Sequence, residues 1–168
     1  MGDSGIVIIG IDPGTRVTGY GIVREVSGQV VLMDAGTIRT NTKKPMCARL
    51  GQIYSRISGL ISEYSPDEAA IENAFVASNP ASALKLGQAR GAAMAACAVS
   101  GLVVSGYEPT KVKQNLVGTG RADKSQVAFM VERILGVKNT GWANDTTDAL
   151  AIAVCHLNER RFARMAGK

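Results

Sequence analysis

Residues 6–11, Ile-Val-Ile-Ile-Gly-Ile, form an unbroken apolar run of strand length that stops abruptly at Asp12. A strand with one wet face alternates apolar and polar residues, whereas a run without alternation is buried on both faces. This stretch therefore demands a central strand with a packed layer above it and another below. Residues 18–26 and 30–40 are also strand-like, and Ser-Gly-Gln between them reads as a hairpin connection, which completes a three-stranded meander.

From Met46 to Tyr64 the period changes. Met46, Leu50, Ile53, Ile57, Leu60, Ile61 and Tyr64 recur at three- and four-residue steps, the apolar stripe of an amphipathic helix. Residues 65–72 supply a turn and a short strand ending at Glu72, and residues 73–79 a loop. Pro80 suits the first position of the next helix. Residues 102–109 read as another buried strand and residues 110–118 as a short helix. Asp123 with Gln126 three residues on predicts a capped helix, and Gly136 its end. The last helix begins near Asn144 and is apolar at Leu150, Ala151, Val154 and Leu157. A meander feeding strand–helix–strand crossovers specifies an α/β fold, a mixed sheet with helices on both faces.

At 168 residues the chain suits one domain spanning 1–168, with no internal repeat and no linker. The end from about residue 158 is a short basic tail, read as solvated. The formal charge is +5 and the pI about 9.3, a balance that favours polyanionic partners, nucleic acid first. Cys47, Cys97 and Cys155 have no zinc-site spacing, so they are expected to be buried free thiols in a reducing compartment. The start shows no secretory pattern, and the apolar segment 91–104 is too short and Ala-rich to span a bilayer, which makes a cytoplasmic location the expectation.

Four acids carry the chemistry. Each has a local explanation. Asp12 opens a Pro-Gly turn, Glu72 ends a strand, and Asp145 and Asp148 lie at a helix start where negative charge suits the dipole, either one a candidate cap. Together they are harder to dismiss. Asp12 and Glu72 both sit at strand carboxyl ends, the edge where open sheets bind ligands. Asp145 and Asp148 are three apart on a helix and so share a face. Two like charges 4 Å apart repel by about 4 kcal/mol at a surface-like dielectric, so the cluster calls for cations. Oxygen-only ligands favour Mg²⁺ or Mn²⁺ over Zn²⁺, and two such ions suit phosphodiester hydrolysis.

The blocks "GIDPGTRVTGYGIV", "IENAFVASNPASALKLGQARG", "VKQNLVGTGRADKSQV" and "DTTDALAIAVCH" resemble, in order and up to about residues 153–156, the RuvC family of bacterial Holliday-junction resolvases. The resemblance implies a ribonuclease-H-like fold with a five-stranded sheet. It implies a homodimer that cuts four-way junction DNA with Mg²⁺ during recombination and repair, leaving 5′-phosphate and 3′-hydroxyl ends. It implies Asp12, Glu72, Asp145 and Asp148 as the catalytic, metal-holding acids. Phe75 becomes a DNA-contacting aromatic that stacks on an unpaired base, and Lys113 and Lys124 become phosphate contacts. Lys85, Arg90 and Arg121 are further basic candidates. Asp12 is expected to bridge two ions, with Glu72 and Asp148 completing the pair and Asp145 ligating or orienting water. A branch-migration motor of the RuvA and RuvB type is the implied partner. A two-fold junction matches a C₂ dimer with two identical sites, and the Ala- and Gly-rich helix from Pro80 suits either a partner helix or the sheet.

Two other classes compete. Sugar-kinase-like phosphotransferases also place an acid and a Gly-rich turn after their first strand. They need two such domains, and no second strand–turn of this kind occurs here. A non-catalytic junction-binding protein would have no use for four acids in a DNA-facing cleft.

Overall fold

The computed structural model describes residues 5–73, 79–138 and 140–167. Its strands are β1 (Ile6–Asp12), β2 (Val17–Val26), β3 (Gln29–Arg39), β4 (Glu68–Glu72) and β5 (Val103–Tyr107). The helices are α1 (Met46–Tyr64), α2 (Pro80–Val99), α3 (Pro109–Val117), α4 (Lys124–Leu135) and α5 (Asn144–Met165). They form one sheet in the order β3-β2-β1-β4-β5, antiparallel through the meander and parallel from β1 to β4 and from β4 to β5. This is the ribonuclease-H-like arrangement expected from the sequence.

β1 is the middle strand, which explains its two apolar faces. Ile9 and Ile11 face α1 and α2, where Ile53, Ile57, Ala89 and Ala93 close one core. Ile8 faces the other way, into a core built by α3, α4 and α5 around Val112, Val131, Leu150 and Ile152. The β2–β3 hairpin turns on Ser27 and Gly28, both with positive φ, as a two-residue primed turn requires. Asp123 and Gln126 form the full capping box of α4, and Gly136 ends that helix in the left-handed conformation.

Four expectations need correction. β5 is an edge strand rather than a buried one, and Val103 is exposed. Cys97 and Cys155 are buried thiols, but Cys47 is exposed. Neither Asp145 nor Asp148 caps α5, because the N-cap position belongs to Ala143, with no side-chain bond. The basic tail is solvated only in part: α5 continues to Met165, with Arg160 paired to Glu68 at 2.8 Å and Arg161 to Glu25 at 3.0 Å, and residues 162–167 are exposed. Among the described residues no helix is long and apolar enough to cross a membrane.

Candidate metal-binding active site

Parallel pairing of β1 and β4 aligns Gly10 with Ala70 and Ile11 with Ile71, so Asp12 and Glu72 emerge from adjacent strand ends. α5 then crosses the sheet at unusually short range. A Cβ at Gly10 would lie 2.2 Å from the Ala149 carbonyl oxygen, and one at Gly19 would lie 1.9 Å from that of Asp145. Only glycine allows the helix this close. Gly19 is the cross-strand partner of Asp12, so the same contact that seats α5 brings Asp145 beside Asp12. Asp148 follows on the same helical face.

The result is a cavity of about 300 Å³ lined by Asp12, Glu72, Asp145, Asp148, Lys113 and Lys124 over an apolar floor. The structure thus brings together all four acids and two of the predicted basic residues. Burial, then repulsion from Glu72 and Asp148, pushes the Asp12 carboxyl up to about 8. Burial raises Glu72 as well, with Asp148 adding to it and Lys124 opposing. Asp12 and Glu72 hydrogen-bond to each other, so the pair holds a proton between them well above the usual carboxylate range, with Asp12 the stronger holder. Lys124, the first residue of α4, donates to Asp148 Oδ2 at 3.1 Å, and that bond raises the lysine in turn.

The carboxylates do not all converge on one point: among the described residues no three His, Cys, Asp or Glu side chains stand at ligating spacing. Asp12 and Glu72 engage each other, and Lys124 engages Asp148. The donor set is nevertheless all oxygen, enclosed and mutually repulsive, which is the chemistry that a hard divalent cation relieves.

The remaining predicted residues fall elsewhere. Arg90 turns inward: its Nε donates to the Glu72 carbonyl at 3.1 Å and its Nη2 to Asn73 Oδ1 at 2.5 Å, which fixes the end of β4. Lys85 lines an adjoining groove that shares Asp145 with the acid cavity. Arg121 is exposed in the connector before α4, off the cavity lining. Phe75 lies outside the described residues. Sequence reasoning missed the seating glycines, for which a glycine inside an apolar strand is the available signal. It also missed the bracket that Arg90 makes.

A mixed sheet with parallel crossovers and an acid cluster at the carboxyl ends of β1 and β4 defines a ribonuclease-H-like domain of the metal-dependent nuclease class. The family model described as "Crossover junction endodeoxyribonuclease RuvC" matches residues 8–156, and the chain belongs to the RuvC family. It is 59% identical over 161 residues to the crossover junction endodeoxyribonuclease RuvC of Solidesulfovibrio magneticus, covering 96% of this chain and 95% of that one. The RuvC of Oleidesulfovibrio alaskensis is 56% identical over 166 residues, 99% of each, so the residues after 156 also have counterparts in relatives. Among solved structures, Thermus thermophilus RuvC in complex with Holliday junction substrate superposes with a TM-score of 0.89 at 36% identity, covering 94% of this chain and 96% of that one.

Proposed function

We propose that this chain is a Holliday-junction resolvase, a single-domain, homodimeric endonuclease that makes paired, Mg²⁺-dependent nicks in four-way DNA during recombination and repair. The observation that carries the reading is the shared cavity of Asp12, Glu72, Asp145 and Asp148 flanked by Lys113 and Lys124. Membership of the RuvC family and likeness to a junction-bound RuvC supply the substrate class.

Asp12, Glu72, Asp145 and Asp148 are the residues that would hold divalent ions, and four acids suffice to ligate a pair. Such ions supply Lewis acidity at the scissile phosphate and make water nucleophilic at neutral pH. Asp12 feels the charge of the other three acids and would be the carboxylate that a pair of ions shares. Lys113 and Lys124 hold the phosphate oxygens, and Lys124 exchanges its Asp148 partner for DNA as the strand enters. Arg90 keeps Glu72 in place from behind. The apolar floor limits water around the reacting phosphate. Phe75 would stack on a base freed at the crossover. Hydrolysis yields a 5′-phosphate and a 3′-hydroxyl, and a C₂ dimer sets two such sites against opposing strands. A motor of the RuvA and RuvB type would deliver the junction.

Cleavage of a synthetic four-way junction beside linear duplex, with Mg²⁺ and with chelator, tests the reading. Paired Mg²⁺-dependent nicks confined to the junction are expected. Binding without nicks under every divalent metal would leave an architectural protein instead.

A further inference from the structure

The loop that follows Asp12 is held from several sides. Thr18 Oγ1 donates to the Gly14 carbonyl at 2.8 Å and accepts from the Gly14 amide at 3.2 Å. Thr40 Oγ1 donates to the Thr15 carbonyl at 2.6 Å, and the Thr40 amide to the Arg16 carbonyl at 3.1 Å. Arg49, reaching over from α1, donates Nη2 to the Thr15 carbonyl at 2.6 Å and Nε to Thr40 Oγ1 at 3.2 Å. Bonds from β2, from the residue after β3 and from α1 thus fix the backbone that carries Arg16, while Arg16 itself stays exposed.

A groove of about 470 Å³ runs between this loop and the first turns of α2, lined among others by Thr15, Arg16, Ser82, Lys85 and Asp145. Asp145 also lines the acid cavity, so the two hollows lie on either side of one shared residue. Each wall of the groove contributes one cation, Arg16 from the loop and Lys85 from α2. A groove that neighbours a proposed phosphodiester-cutting site and carries a cation on each wall suits the next stretch of the same polyanion.

We propose that this groove carries the strand being cut away from the acid cavity, that Arg16 and Lys85 grip a phosphate neighbouring the scissile one, and that Arg49 is the positioning residue that holds the gripping loop. The inference rests on the nuclease reading above and adds a second phosphate subsite to it.

The test is junction binding in chelator, where no strand is cut. Single methylphosphonates, which are neutral, replace in turn the two phosphates on either side of the scissile one. For wild type, one of these positions is expected to cost about tenfold in affinity. Arg16→Ala and Lys85→Ala are each expected to weaken the unmodified junction comparably and to lower the salt slope by about 0.9, one phosphate's worth. Both should abolish the response at that single position, whereas Arg16→Lys retains it. Arg49→Ala should erase the same response, a readout that a loss of stability alone would not move. Losses that simply add at every position would overturn the subsite, and an Arg49→Ala profile identical to wild type would overturn the positioning role. Wild-type cleavage is scored in parallel with Mg²⁺. Its absence would sink the resolvase reading, while intact cleavage with unchanged profiles in Arg16→Ala and Lys85→Ala would sink the groove alone.

Discussion

β4 is five residues long and carries a glutamate at each end, and the two ends are treated in opposite ways. Glu68 opens the strand among partners. His156 Nε2 lies 2.7 Å from its Oε2, Arg160 Nε lies 2.8 Å from its Oε1, and the Tyr107 hydroxyl lies 2.7 Å from His156 Nδ1. Burial opposes ionisation there, but the bonds from Arg160 and His156 prevail and hold Glu68 below its ordinary range. Glu72 closes the strand among acids, and burial with Asp148 holds it above that range. The first glutamate completes a network that joins β4, β5 and α5. The second is left in conflict, a conflict that folding alone gives no reason to keep. The folded state of a chain this size is favoured by only about 5–15 kcal/mol, so an acid cluster of this kind supports the proposal that this end of the sheet does the chemistry.

The largest expected break in the comparison comes from Glu72→Gln. Junction cleavage should fall about a thousandfold or more, since several kcal/mol of transition-state stabilisation are removed, while binding in chelator persists. Its melting temperature in chelator should equal or exceed that of wild type, and a clear drop would show that Glu72 also serves the fold. Glu68→Ala should do the reverse. Leaving His156 and Arg160 without their acceptor costs about 1–3 kcal/mol, or roughly 2–10 °C in a thermal melt, with cleavage retained well below the transition.

Acidity sharpens the same contrast. Asp12 binds its proton more tightly in the folded chain than in the unfolded one, so stability in chelator should decline as pH rises from about 4 towards about 8. Glu68 binds its proton less tightly when folded, so its contribution is present above the unfolded pKa and lost as pH falls through the folded value. Melts across pH should therefore lose the alkaline decline in Asp12→Asn and part of the acid decline in Glu68→Ala. A wild-type melt that stays flat from pH 4 to 8 would contradict the crowding at Asp12. Tyr107→Phe is the smallest case. Removal of one hydroxyl from His156 should cost about 1 kcal/mol and a few degrees, with no change in cleavage.

The acids were legible in the sequence because their signals are local: an apolar run stopped by an acid, and two acids three apart on a helix. The α4 caps were legible for the same reason, since Asp123, Gln126 and Gly136 act within one turn. What stayed hidden depends on distant partners. Arg160 and Arg161 looked like a basic tail because Glu68 and Glu25 lie 92 and 136 residues away in the chain. Arg90 looked like a surface cation because the carbonyl it holds is on another element. Val103 and Val104 read as interior because an apolar pair at an edge has the same local pattern as one in the middle.

The seating of α5 on Gly10 and Gly19 carries one last consequence. The spacing between Asp12 and Asp145 is set by two positions that have no side chain. A homologue could keep every acid and every lysine, pass any inspection of its motifs, and still be silent because an alanine at position 19 lifts the helix from the sheet. Decay of such a nuclease would begin unnoticed, at a residue that has no side chain to inspect.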